Sequence, residues 1–215
     1  MSLPKYIHTA SDQFGDIAVI DDGDHRILSF TAGDEQSIQL KEKPYVLQHA
    51  YTQAMLLSLL FCQPKRVLIL GLGAGTLFTA LHHNIAGVRI HGVELRQQVI
   101  DIANRYFQLP TSKKMTVSCE NALAYLQQPI DKRVDLIMTD LYDGFGMDDV
   151  QTSNDYLQLC ASRLKAGGWL VLNCWGNKNA NLGLFSRLNK VFVDVRSCES
   201  GDGNFIVFAG TRKDL

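Results

Sequence analysis

From residue 66 onward the sequence alternates short β-branched or apolar runs with longer stretches of helical period. The runs are VLIL at 67–70, VRIHGV at 88–93, MTVSC at 115–119, VDLIMT at 134–139 and WLVLN at 169–173. A strand followed by a helical segment and then by another strand returns to the same sheet by a crossover, which pairs the strands in parallel and lays helices on the sheet faces. The pattern therefore predicts an α/β fold with a mostly parallel sheet. The chain end departs from it: VFVDVR at 191–196 and NFIVFAG at 204–210 flank a turn at Ser200, Gly201, Asp202 and Gly203, which predicts a terminal hairpin added antiparallel at the sheet edge.

Before residue 66 the period is different. Two short alternating segments, 17–20 and 26–30, lie on either side of Asp21-Asp22-Gly23-Asp24 and read as a β-hairpin. Pro44 and Tyr45 then introduce residues 46–62, where Met55, Leu56, Leu59 and Leu60 recur at helical spacing. A helix is expected there, ending before Pro64.

Composition narrows the function. A chain of 215 residues with 46% hydrophobic side chains buries one substantial core. With 21 basic against 22 acidic residues, the net charge of -1 gives no basic field for nucleic acid or a membrane surface, so a small molecule is the expected partner. The first residues lack the basic start and apolar run of a secretory leader, and no stretch reaches the apolar length of a bilayer span, which predicts a cytoplasmic protein. Five dispersed cysteines are read as reduced thiols, and the six histidines show no ligand spacing, so no metal is expected.

The chemistry is carried by strand ends. Gly71-Leu72-Gly73-Ala74-Gly75 joins the strand at 67–70 to a helical stretch at 76–83, a junction where glycines admit a ligand close to the backbone and the helix start offers free N–H groups. Glu94 closes the next strand, where a carboxylate would accept from two ribose hydroxyls, and Glu120-Asn121 closes the third, where adenine would lie. A solvated strand-end acid or a helix N-terminal acid would look the same at either position alone. The fourth strand ends in Thr139-Asp140-Leu141-Tyr142-Asp143-Gly144-Phe145, two carboxylates beside two aromatics, suited to a cationic group or to an ordinary acidic turn.

Taken together, VLILGLGAG, VEL, ENALAYL, VDLIMTDLYDGFG and LKAGGWLVLN resemble the successive motifs of the spermidine synthases, over roughly residues 14–209. The resemblance implies a Rossmann-like fold of the S-adenosylmethionine-dependent transferases, with a small N-terminal β-hairpin region over 1–45 and the nucleoside-binding domain over 46–215. It implies that Gly71, Gly73 and Gly75 line the nucleoside cleft with Gln36 nearby, that Glu94 holds the ribose, and that Glu120 and Asn121 face adenine. Asp140 matches the carboxylate that binds and deprotonates an attacking amine, with Asp143 as its acidic partner. Tyr51 and Gln53 fall in the place of a Tyr-His-Glu triplet at the amine site, and Tyr142 belongs to the same side.

The implied activity is polyamine biosynthesis: transfer of an aminopropyl group from decarboxylated S-adenosylmethionine to an amine such as putrescine, by a homodimer, without a metal. Three departures qualify it. Ala74 stands where the family has an aspartate, Gln53 stands where it has a glutamate, and residues 201–205 replace its Tyr-Pro-Ser-Gly-x-Trp stretch. Two alternatives therefore accompany aminopropyl transfer, methylation of a small molecule by S-adenosylmethionine and a non-catalytic nucleoside-binding relative.

Overall fold

A computed structural model of the chain describes residues 3–30, 35–143, 146–147, 149–175, 182–201 and 203–212, with backbone alone at 143, 146 and 147. The first sheet is an antiparallel meander of β1 (Lys5–Asp12), β2 (Gly15–Asp22), β3 (His25–Ser29) and β4 (Ser37–Leu40), paired in that order. The expected hairpin forms its centre, with Ile20 opposite Ile27 and Val19 opposite Leu28. The outer strands go beyond the expectation. β1 reads KYIHTASD, in which no apolar period stands out, and β4 is only four residues long.

The helix expected over 46–62 is shorter. Leu47 bridges to Gln39 of β4, which holds the preceding chain extended, so α1 spans only Ala50–Met55. It then tightens into a 3-10 turn at Leu56–Leu60, whose Ser58 carbonyl accepts from the N–H groups of both Phe61 and Cys62.

The remaining elements are β5 (Arg66–Leu70), α2 (Thr76–Asn84), β6 (Arg89–Glu94), α3 (Gln97–Tyr106), β7 (Met115–Cys119), α4 (Ala122–Gln127) and β8 (Val134–Thr139). They continue through the two-residue strands β9 (Tyr142–Asp143) and β10 (Gly146–Met147), then α5 (Asn154–Arg163), β11 (Leu164–Trp175), α6 (Leu182–Val191), β12 (Asp194–Glu199) and β13 (Asn204–Gly210). The large sheet runs β12-β13-β11-β8-β5-β6-β7. Within it β13 alone is antiparallel to both neighbours, so the terminal hairpin tucks its second strand beside β11 and leaves β12 at the edge. β12 begins later than the run at 191–196 suggests, because Leu184, Leu188 and Phe192 form one buried stripe along α6 and its exit.

Strand periodicity divides the core between the two sheet faces. In β5, Val67 and Ile69 pack with Leu77, Leu81, Trp169 and Val171, whereas Leu68 and Leu70 pack with Tyr156, Leu157 and Leu172. The strand order reverses at β5: the chain proceeds from it through β6 and β7 on one side and through β8 and β11 on the other. The loops that follow β5, β6 and β8 diverge there and open a crevice at the carboxyl ends. Among the described residues no helix is long and apolar enough to cross a membrane.

Arg163 ties the end of α5 to the end of α4. Buried at the end of α5, it donates to the carbonyls of Tyr125, Leu126 and Gln128 and lies over the Tyr125 ring at 4.9 Å. They are carbonyls of the last turn of α4 and its cap, of which Tyr125 also accepts the Gln128 N–H at 3.2 Å. Replacing Arg163 with Met keeps much of the volume but removes every donor, and should cost about 2–4 kcal/mol of unfolding free energy, as loss of charged hydrogen bonds to buried acceptors does. Urea denaturation measures this; a midpoint equal to the parent's would contradict the assignment.

Candidate active site

The crevice is a cleft of about 470 Å³. Its floor comes from Gly71, Leu72 and Gly73 after β5, its flanks from Glu94 and Arg96 after β6 and from Asp140 and Tyr142 after β8, and its far wall from Asn173, Trp175 and Asn204. The N-terminal sheet and its connection close the remaining side with Phe14, Phe30, Glu35, Gln36, Ser37, His49, Tyr51 and Thr52.

Two glycines are fixed by a positive φ and a close neighbour. Gly71 has φ +88°, and a Cβ built on it would lie 2.1 Å from the carbonyl oxygen of Asp140. Gly73 has φ +53°, and its Cβ would lie 2.8 Å from Ser37 Oγ of β4. The next residue, Ala74, donates its N–H to the same Ser37 Oγ at 3.2 Å. Its methyl group is fully buried with Ile17, Val19, Leu28 and Phe107, between the N-terminal sheet and α3, and does not line the cleft.

Glu94, only 9% exposed, accepts the Leu72 N–H on Oε2 and the Arg96 N–H on Oε1, both at 3.0 Å. Burial pushes its carboxyl above the usual range, and backbone N–H groups, Arg96 and Leu72 foremost, oppose that shift. The backbone N–H groups of Gly73 and Leu95 also bond to this carboxylate, which is therefore held on all sides by main chain. The Arg96 side chain points to the N-terminal sheet, where it holds Asp12 through two hydrogen bonds of 3.0 and 2.8 Å and donates to the Gly15 carbonyl at 2.7 Å. Phe30 covers its guanidinium at 4.7 Å and Phe14 approaches at 5.9 Å.

Asp140 follows β8, its own N–H bonded to the Leu70 carbonyl at 2.9 Å. Asn173 Nδ2 donates to its Oδ1 at 2.7 Å, and the Tyr51 hydroxyl donates to the same carboxylate. Burial pushes its pKa up to about 6, with the Asn173 and Tyr51 hydrogen bonds pulling the other way. The arrangement is a poised proton acceptor in a cleft that already presents a second carboxylate at Glu94.

A family model, the spermine/spermidine synthase domain, matches residues 48–199, well over half of the chain. The chain belongs to the spermine/spermidine synthase family. Within it, a polyamine aminopropyltransferase of Chromobacterium violaceum is 26% identical over 189 residues, covering 87% of this chain and 72% of that relative. One of Vibrio vulnificus is 30% identical over 174 residues, covering 78% of this chain and 58% of the relative. A spermidine synthase solved in complex with the transition state analogue AdoDATO superimposes with a TM-score of 0.74 at 21% identity, over 97% of this chain and 74% of that one. The resemblance read from the motifs and the Rossmann-like α/β fold class are thereby borne out.

The structure brings many of the expected residues together. Gln36, Tyr51, Gly71, Gly73, Glu94, Asn121, Asp140 and Tyr142 all line the cleft, Asn121 while its side chain also caps α4 by accepting the Ala124 N–H at 3.1 Å. Three expected residues do not reach it. Gly75 serves as the left-handed cap of α2. Glu120 turns away from the lining and its carboxylate accepts from the Gln128 side chain, and Gln53 is exposed and donates to the Leu47 carbonyl at 2.8 Å. The side chain of Asp143, like Phe145 and Asp202, lies outside the described residues. Among the described residues no group of three or more His, Cys, Asp or Glu side chains is placed to hold a metal ion.

Sequence reasoning did not single out Glu35, His49, Thr52, Arg96 or Asn204 as site residues. Asn173 was read as the last residue of the run at 169–173. The strand-end rule that located Glu94 and Asp140 reaches Asn173 as well, at the fifth strand; for the others no local pattern distinguishes them from surface or core residues.

Two stability outcomes follow from this geometry. Gly71→Ala forces a Cβ into the Asp140 carbonyl at a positive φ and should destabilise by about 3 kcal/mol or more; a melting temperature equal to the parent's would contradict the packing. Asp140 gains protons on folding, so its ionisation destabilises the native state as pH rises from its unfolded pKa through about 6. Asp140→Asn should therefore be more stable than the parent at pH 8, by about 1–2 kcal/mol after allowance for its partial exposure, with that difference cut to about a third at pH 4.5. Melting curves at both pH values test it, and a loss of stability at pH 8 would contradict it.

Proposed function

We propose that this family member is an aminopropyltransferase of polyamine biosynthesis, moving the aminopropyl group of decarboxylated S-adenosylmethionine to the primary amine of a small molecule such as putrescine. The observation that carries the reading is the pairing of Glu94 and Asp140 across one cleft, the first held by glycine-loop amides and the second by Tyr51 and Asn173. The names of the two relatives favour aminopropyl transfer over methyl transfer.

On this reading the adenosine part of the donor lies across Gly71 and Gly73. The Glu94 carboxylate faces the two ribose hydroxyls and accepts from them, and Gln36 and Asn121 stand along the nucleoside. Asp140 pairs with the acceptor's ammonium, assisted by Asp143, Tyr51 and Tyr142. The amine passes a proton to Asp140, its freed lone pair forms a bond to the methylene carbon beside sulfur, and the carbon–sulfur bond breaks. The bonding pair stays on sulfur, so neutral methylthioadenosine leaves and the overall displacement is redox-neutral. Lifting the Asp140 pKa to about 6 narrows the gap between acid and amine while leaving the carboxylate ionised at neutral pH. With alanine at position 74 the glycine loop offers the donor's terminal ammonium no carboxylate, and Asp140 is the acid beside the reacting carbon.

The same reading takes residues 1–45 as a wall-forming region and 46–215 as the nucleoside-binding unit of a cytoplasmic homodimer. The near balance of 21 basic and 22 acidic residues supports a small-molecule partner, with no nucleic acid or membrane involved.

Two substitutions test the assignments separately. Glu94→Ala should weaken methylthioadenosine binding in calorimetry by about 10- to 100-fold, the scale of lost charge-assisted hydrogen bonds. Asp140→Asn should leave that affinity unchanged while lowering turnover with decarboxylated S-adenosylmethionine and putrescine by about a hundredfold or more. Near-parental turnover in a folded Asp140→Asn protein would overturn the reading.

A further inference from the structure

Two asparagines are nearly inaccessible beside Asp140. Asn173 of β11 is 1% exposed and Asn204, which opens β13, is 7% exposed. Asn204 Nδ2 donates to Asn173 Oδ1 at 2.8 Å, and Asn173 Nδ2 donates to Asp140 Oδ1 at 2.7 Å. An amide has one accepting end and one donating end. Because Asn204 occupies the oxygen, only the NH2 of Asn173 is left to face the acid. The frame around this contact is also tied: fully buried Gln151 donates to the Asn173 carbonyl at 2.9 Å and accepts the Leu141 N–H at 3.4 Å, linking β11 to the residue after Asp140.

We propose that Asn204 and Asn173 are positioning residues for proton transfer, a directional relay in which Asn204 fixes the Asn173 amide so that Asp140 is held as an acceptor facing the substrate amine. The proposal rests on the reading that Asp140 takes the acceptor's proton. Without the Asn204 donor, the Asn173 amide is free to turn end for end, because its oxygen and NH2 are nearly equal in size. Its oxygen would then meet Asp140, and two acceptors share a contact only with a proton between them. That favours the protonated acid, which no longer removes a proton from the amine.

The direction of the effect on activity follows. A hydrogen bond donated to the carboxylate lowers the proton affinity of Asp140, so its loss raises that affinity and moves the acid limb of the rate profile to higher pH. The Tyr51 hydroxyl, from α1, donates to the same carboxylate and is untouched by changes at Asn204. The other titratable or charged side chains lining the cleft among the described residues are Glu35, His49, Glu94, Arg96 and Tyr142. All are common to parent and variants.

The test is kcat/KM against pH with decarboxylated S-adenosylmethionine and putrescine for the parent, Asn204→Leu, Asn204→Ala and Asp140→Asn. Leu matches the size of Asn without its donor. Ala also lacks the donor, adds no charge to the cleft and serves if Asn204→Leu does not fold. The acid limb should move up by about 0.5–1 pH unit in either Asn204 variant, with methylthioadenosine affinity unchanged. A merely structural asparagine would lower the melting temperature and leave the limb in place, and an unmoved limb in a folded variant overturns the relay. If Asp140→Asn retains parental turnover, the reading of Asp140 itself has failed; if it is inactive while the Asn204 variants keep the parental limb, only the relay has failed.

Discussion

Where the chain leaves β5, Gly71 passes so near the Asp140 carbonyl that a Cβ would stand 2.1 Å from that oxygen. The Leu70 carbonyl meanwhile accepts the Asp140 N–H at 2.9 Å, and the Gly71 N–H donates to the Val93 carbonyl at the same distance. The last residues of β5 are thus tied to both neighbours at the point where the strand order reverses. The glycine loop, the strand that ends in Glu94 and the strand that ends before Asp140 form one backbone unit, so the two carboxylates hold a fixed separation without relying on loop conformation. Such preorganisation serves a displacement in which two bound molecules must meet in line.

The N-terminal sheet is built into the same unit. Arg26 donates to the Tyr106 carbonyl at 2.8 Å and Gln39 to the Phe107 carbonyl at 3.0 Å, which satisfies the end of α3 with side chains from β3 and β4. Ser37 meets the Ala74 N–H, and the Arg96–Asp12 pair ties the turn between β1 and β2 to the residue that follows Leu95. Arg96 therefore serves twice. Its backbone N–H holds Glu94, and its side chain seats the wall that carries Phe14 and Phe30. Ala74 fits this arrangement, since its small methyl group fills the seam between the sheet and α3.

The parallel sheet was legible in the sequence because its strands are short apolar runs bounded by turn residues, and Glu94 and Asp140 were legible because such sheets bind ligands where their strands end. What the rule supplies is a backbone position, not a side-chain direction. Glu120 illustrates the gap: it follows β7 as Glu94 ends β6, yet its carboxylate turns outward to Gln128. β1 was missed because its faces are both largely polar, and the helix read over 46–62 was overlong because Leu47 pairs with β4, a contact between segments that a local period does not contain. Asn204 was hidden for the same reason. Its role appears only when β13 is placed antiparallel beside β11, which sets Trp175 opposite Asn204 and brings that side chain to Asn173.

The central claim is that this cleft joins an amine to the aminopropyl carbon of a sulfonium nucleoside. Mass spectrometry of the protein incubated with decarboxylated S-adenosylmethionine and putrescine tests it most directly. The account predicts methylthioadenosine and an aminopropylated amine appearing one for one. Folded protein that binds methylthioadenosine yet forms no aminopropylated product from putrescine or from any other primary amine offered would contradict it.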